Sequence, residues 1–152
     1  MFKKNLLIIL ASSLIAGCAS VPMETKEISS KAKAFNAPPE GKAGLYIYRN
    51  SSVGAALKKD VWIDGKCVGE TAPDVFFYEV VTGNETHKIS TESEFSANDL
   101  LLKTESGKNY FVRQYIKLGV FVGGANLEVV PDSIAKQEIS QLEMAVKGAC
   151  SK

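Results

Sequence analysis

Four stretches of this chain alternate their apolar residues with a period of two, a spacing that suits a strand and not a helix. In GLYIYRN, Leu45 and Ile47 alternate with Tyr46 and Tyr48, and further on Val61 and Ile63 flank Trp62. Phe76, Tyr78 and Val80 alternate with Val75, Phe77 and Glu79; Tyr110, Val112, Ile116 and Leu118 alternate with Phe111, Arg113, Tyr115 and Lys117. Each stretch reads as a half-buried strand. Turn residues separate them at Asp64-Gly65, Thr82-Gly83-Asn84, Ser106-Gly107-Lys108 and Gly123-Gly124. The pattern predicts a mainly β domain, an antiparallel sandwich of about seven or eight strands.

The period changes only near the end. After Pro131, the residues Ile134, Ala135, Ile139, Leu142, Ala145 and Val146 share one arc at about 100° per residue, which predicts an amphipathic helix stopping near Gly148. Such a helix would cover one face of the sheet; α+β is the alternative class. With 152 residues the chain is long enough for one domain.

The N-terminus carries a different signal. Lys3 and Lys4 precede an apolar run over residues 6–16, interrupted by Ser12 and Ser13 and ending in small residues before Cys18. As a helix, such a run spans about 17 Å, short of the roughly 30 Å hydrocarbon core, so it reads as a secretion signal rather than a permanent span. The sequence Ile15-Ala16-Gly17-Cys18 resembles the lipobox of bacterial lipoproteins, in which the Cys thiol carries a diacylglycerol and becomes the new N-terminus. That resemblance implies a signal peptide over residues 1–17 and a lipidated Cys18, with acyl chains such as palmitate as the anchor. Ala19, where an Asp resembles an inner-membrane retention signal, implies the outer membrane and a periplasm-facing domain. Residues 18–39, rich in Ser, Lys, Glu, Ala and Pro, read as a flexible tether with a reach of about 25 Å. Docking of Phe35 would shorten that reach, and Pro38-Pro39 stiffens the junction to a globular domain over residues 40–152.

Formal charge is +1; without Lys3 and Lys4 the chain holds 16 basic and 17 acidic residues, so nothing in it calls for nucleic acid. The membrane, through the anchor, and an envelope protein or peptide are the expected partners.

Chemistry in the hairpin VWIDGKCVGE depends on Cys67. If Asp64-Gly65 is a type I′ turn, Ile63 pairs with Lys66, Trp62 with Cys67 and Val61 with Val68. A nucleophilic Cys needs a lowered pKa, and the sole histidine, His87, falls on the apolar side of another strand pair, where it reads as structural. With Cys18 lipidated, Cys67 and Cys150 remain as a candidate disulfide or as two free thiols. No nucleophile elbow, P-loop, His-Glu-x-x-His or CxxC is present, and neither a metal site nor a cofactor other than the lipid is expected. Asp60, Asp64, Glu70 and Asp74 gather in sequence around the hairpin, which leaves a hydrolase of envelope polymers as the alternative function. Arg49 is expected to stack on Tyr48 or to pair with a carboxylate. Phe111, Arg113, Tyr115 and Lys117 form an aromatic stripe with interleaved charge, either a partner surface or the face under the helix. The apolar run Val120-Phe121-Val122 is expected to pack.

VWIDGKCVGETAP followed by VTGNETHKIS resembles the strand, Asp-Gly turn and strand motif of PEGA modules. A wider frame, with Pro39-Glu40-Gly41-Lys42-Ala43, Tyr46-Ile47-Tyr48-Arg49, Ile63-Asp64-Gly65, Gly83 with His87, and Gly107-Lys108 before Tyr110-Phe111-Val112, resembles the lipoprotein family called domain of unknown function 2846. Such motifs specify turns and strands, and the family as such implies no catalytic residue. The expectation is a lipid-anchored, non-catalytic binding or envelope-accessory module that uses strand edges or an aromatic face.

Overall fold

The computed structural model describes residues 17–151; the expected signal segment, residues 1–17, lies outside the described residues except for Gly17. The chain begins with α1 (Lys26–Ala32), followed by β1 (Lys42–Arg49), β2 (Lys59–Ile63), β3 (Lys66–Thr71), β4 (Val75–Thr82) and β5 (Thr86–Thr91). Then come β6 (Asn98–Lys103), β7 (Asn109–Lys117), β8 (Gly124–Val129), α2 (Asp132–Ser140) and the short β9 (Glu143–Met144). The strands form a five-stranded sheet in the order β8-β7-β1-β4-β9 and a four-stranded sheet in the order β3-β2-β5-β6. This is the expected sandwich with a C-terminal helix. The count is nine because β9 is an edge strand, and two contacts, β1 with β7 and β4 with β9, run parallel.

Strand β1 explains the two layers of core. Leu45 and Ile47 point between the sheets and pack with Val61, Ile89, Val112 and Phe77. On the other face Tyr46 and Tyr48 pack with Phe76, Phe111, Ala135 and Ile139, beneath α2. Seven of the eight β1 residues are buried, so a strand expected to be half-buried is covered on both sides. Helix α2 supplies the outer cover, and Tyr48 Oη–H donates to Glu138.

The residues expected to be a flexible tether belong to the packed body. Thr25 caps α1, with its Oγ accepting from the Ile28 N–H at 3.3 Å. Ser29 is fully buried; its hydroxyl donates to Glu143 Oε2 at 2.7 Å and its oxygen accepts the Met144 N–H at 3.1 Å. Phe35 lies 5.2 Å from the Tyr46 ring and 5.9 Å from the Phe111 ring, and the Asn109 side chain donates to the carbonyls of Phe35 and Asn36. Composition alone hides this docking because the helix buries a serine and not an apolar stripe.

The C-terminal helix is shorter than its arc of apolar residues suggests. It ends at Ser140, and Leu142 and Met144, with exposed Glu143 between them, are buried on an extended segment instead. That segment pairs with the start of β4, so the period of two prevails there over the period of 3.6.

At the β2–β3 hairpin, Asp64 has φ 51° and Gly65 φ 77°, both positive as a type I′ turn requires. Ile63 opposes Lys66 and Trp62 opposes Cys67, but Val61 opposes Gly69 and not Val68. Val68 is the extra residue of a β-bulge.

Candidate functional site

Strand β4 is held on one side by β1 over its whole length, from Lys42 opposite Thr82 to Arg49 opposite Val75. On its other side β9 pairs only with Val75 and Phe76. Among the described residues no strand continues that pairing, so the edge from Phe77 to Val81 is open, while at Thr82 the carbonyl accepts from His87 and from the Thr104 hydroxyl. The Phe76 carbonyl accepts the Ala145 N–H on this side, and backbone groups alternate along a strand, so those of Tyr78 and Val80 face the open edge.

Both faces of that edge carry a cleft. On the outer face, Tyr78 and Val80 join Tyr46, Ile28, Ala32 and Pro39 around a cleft of about 330 Å³. On the other face, Glu79 and Val81 join Lys42, Lys66, Val68 and His87 around a cleft of about 380 Å³ between β3 and β4. Lys147 reaches across the edge, its Nζ 2.6 Å from Glu79 Oε1 and 3.4 Å from the Tyr78 carbonyl. A charged lysine on an open strand edge discourages indiscriminate pairing.

His87 closes the far end of the second cleft. It is 4% exposed, with Nδ1 2.7 Å from Asp64 Oδ2 and Nε2 2.8 Å from the Thr82 carbonyl oxygen. A carbonyl only accepts and an ionised carboxylate only accepts, so both ring nitrogens donate and the ring is an imidazolium. Burial opposes that charge, but the Asp64 carboxylate and the Thr82 carbonyl outweigh it and hold the imidazole above its ordinary 6.5. Asp64 is the reciprocal case: slight burial pushes its carboxyl up, while His87 and the Lys88 N–H bring it below its ordinary 3.8. The pair sews the hairpin turn to β5. With both ring nitrogens committed, one to the exposed Asp64 carboxylate and one to the Thr82 carbonyl, buried His87 has no free position for base chemistry.

The other residues singled out in the sequence fall in separate places. Sγ of Cys67 and Sγ of Cys150 are bonded at 2.00 Å, with Cα atoms 6.1 Å apart, which ties the C-terminal segment to β3. Cys18 is exposed and unpaired, and the N–H of its neighbour Ala19 donates to the Ala55 carbonyl at 2.7 Å. Of the four acidic residues only Asp60 and Glu70 meet, opposite one another on β2 and β3. Asp60 is buried and accepts from the Ser151 N–H and hydroxyl, Asp64 is bound to His87, and Glu70 pairs with Lys58 at 3.1 Å. Asp74, with φ 61°, sits in the turn before β4. Among the described residues no group of three His, Cys, Asp or Glu could hold a metal ion.

Arg49 departs from both expectations for it. Fully buried, it donates from Nη1 to the Leu57 carbonyl at 2.6 Å and from Nη2 to the carbonyls of Gly54 at 2.8 Å and Val53 at 3.2 Å. Desolvation lowers its pKa, partly offset by Asp74. It clamps the 53–57 loop from within. The aromatic stripe is divided: Phe111 is buried beneath α2 and Phe35, and Arg113 pairs with Glu128 at 2.8 Å and Glu138 at 2.9 Å. Tyr115 accepts from Asn126, and Lys117 alone of the four is exposed.

The Val120-Phe121-Val122 run, expected to pack, is exposed. What sequence reasoning missed most is the open edge of β4: the run VFFYEVVT marks a strand but says nothing of how many partners it has.

Residues 39–125 match the family described as Protein of unknown function (DUF2846). A Haemophilus influenzae relative with the description "Uncharacterized protein" is 62% identical over 133 residues, covering 88% of this chain and 79% of its own. No solved structure matches. The chain belongs to the DUF2846 family.

Proposed function

We propose that this protein is a lipid-anchored binding module of the bacterial envelope, held at the outer membrane through acylated Cys18 and facing the periplasm. Its task is to take an extended segment of an envelope protein or peptide as an added strand along β4. The observation that carries this reading is the open edge of Phe77–Val81 with a cleft on each face. Strand addition needs both parts: edge N–H and C=O groups supply main-chain affinity, and clefts on alternating sides receive alternating side chains. The backbone groups of Tyr78 and Val80 face outward along this edge, enough for a short ladder of roughly 10 Å. The apolar outer cleft suits an aromatic or aliphatic side chain, whereas Lys42, Lys66 and Glu79 on the other side suit a polar one. Lys147 would swing off Tyr78 to admit the partner. The anchor reading rests on the lipobox resemblance and on a Cys18 that is exposed and outside any disulfide.

Two experiments test it. A photoreactive amino acid at Glu79, which lines the cleft beside the edge, is expected in intact cells to yield a discrete protein adduct that the same residue at Gln137 on α2 does not. Val80→Pro removes an N–H that β1 does not use, so it should abolish that adduct while leaving the fold. Identical adducts from both positions, or adducts that survive the proline, would overturn strand addition. Cys18→Ser should abolish fatty-acid labelling; persistent labelling would overturn the anchor.

A further inference from the structure

We propose that the end of the sandwich from which Cys18 emerges is itself a bilayer-contacting surface, with the loops around Phe95 and Phe121 seated among the lipid headgroups. This goes beyond the anchor reading and rests on it for the protein's presence at the membrane.

Topology brings the parts together. Because β1 and β7 are parallel neighbours, Arg49 and Lys117 end at the same edge of the sheet, and the loops that follow them share one end of the molecule. Strand β8 starts at that end, since Lys117 opposes Gly124. The β5–β6 turn joins it through two bonds, the Ala125 N–H to the Glu92 carbonyl at 2.9 Å and the Asn98 side chain to the Ala125 carbonyl at 2.6 Å. The chain near Cys18 is bound here too, by the Ala19 N–H on the Ala55 carbonyl. Gly54 and Leu57 of that loop lie against Ile116 and Gly123, at the root of the 118–123 loop.

The loop tips are apolar and unusually bare. Leu118 is 93% exposed, Phe121 83%, Val120 77%, Phe95 76% and Val122 55%. Five large apolar side chains projecting from two adjacent loops form a contiguous exposed patch of the kind that marks a contact surface. The backbone of the same loop is already provided for. Glu94 accepts the N–H groups of Val120 at 2.6 Å, of Phe121, and of Val122 at 3.3 Å. Entry of the tip into the headgroup region therefore strands few polar main-chain groups, which would otherwise oppose it. Lys117, exposed at the base of the loop, is placed for anionic headgroups.

A lipid surface is favoured over another occupant because the patch is continuous with the acylation position. The diacylglycerol on Cys18 supplies a stable attachment, and apolar contacts beside it orient the domain on the bilayer. The opposite end, with Gly41, Asn84 and Lys108, carries the turns away from the membrane.

The test uses the full-length mature protein reconstituted into vesicles of phosphatidylethanolamine and phosphatidylglycerol with brominated acyl chains. Phe121→Trp is expected to lose about half its added fluorescence to the bromines, as a side chain at the headgroup and acyl boundary would. Lys108→Trp, at the far end, should lose none; the signal of Trp62 in the parent is subtracted from both. An unchanged urea midpoint verifies that each variant folds. The mass of the mature protein reports the diacylglycerol on Cys18 independently. Lipid present with no quenching at position 121 overturns the seating and leaves the anchor. Quenching at 121 without lipid supports the seating and overturns the anchor, and absence of both overturns both. Concentration-dependent dimerisation abolished by Phe121→Ser, with no quenching, would assign the patch to a second copy of the chain instead.

Discussion

Nδ1 of His87 and Oδ2 of Asp64 lie 2.7 Å apart, a turn carboxylate reaching across to a buried ring on β5 whose other nitrogen donates to Thr82. The pair makes a pH dependence inevitable. His87 is held above 6.5, so its contribution to stability is complete below that value and is lost as pH rises through the raised folded value. Asp64 is held below 3.8, so its contribution is complete above that value and is lost as pH falls through the lowered one. The urea midpoint should decline as pH rises above about 6.5 through the raised folded value, and His87→Gln should remove that decline. Asp64→Asn should lower the imidazole pKa, read from its proton NMR titration. A ring that titrates at or below 6.5 in the intact protein contradicts the charged assignment.

Docking of residues 26–35 on the sandwich predicts that Phe35→Ala destabilises the whole domain. Its ring contacts both Tyr46 and Phe111, and truncation of a packed phenylalanine costs about 3 kcal/mol. A single cooperative urea transition at lower midpoint is expected. A transition identical to the parent's would return this segment to the role of a loose tether.

The Cys67–Cys150 bond joins positions 83 residues apart. Reduction, or Cys150→Ser, should cost about 4 kcal/mol by the chain-entropy relation. The loss should be equal for the two treatments, because Cys67 is expected to have no chemical role. If photo-adduct formation at Glu79 disappears with Cys67→Ala while the fold remains, the thiol has a function beyond the bond.

Arg49→Met should free the carbonyls of Val53, Gly54 and Leu57 at once. Loss of the charged donor is expected to cost about 2–3 kcal/mol. Amide hydrogen exchange should accelerate first in residues 53–57, ahead of β1 itself. Uniform acceleration across the domain would mean that Arg49 supports the core and not the loop.

These residues also mark how far sequence reading reaches. Period-two alternation around Leu45 and Ile47 identifies strands because it follows from pleat geometry alone. Asp64-Gly65 sets a hairpin register for the same reason: two positive φ values in succession favour such a dipeptide. The bulge at Val68 went unread, although the glycine at 69 within a strand was its signal. The partnership of His87 with Asp64 is a tertiary choice between positions 23 residues apart, which no local pattern encodes. The open edge of β4 is similarly illegible. It depends on β9 being two residues long, and the Leu142–Met144 alternation that forms β9 was concealed inside a helical arc.

Residues 19–24 are zipped to the body by the Ala19 bond to Ala55, the Met23 bridge to Ala145, and the bonds of Glu24 with Met144 and Val146 with Pro22. From Ser29 onward the chain is fastened separately, through Glu143, Met144 and the Phe35 stack. Were the zipper to open under tension, with loss of the Val21 packing on the core, six residues would form a line of at most roughly 20 Å between Cys18 and α1. With Cys18 acylated as proposed, the molecule would then stand at either of two heights above the bilayer, flush or raised. Height would be set by pull on the anchor, and the reach of the binding edge into the periplasm would follow from it.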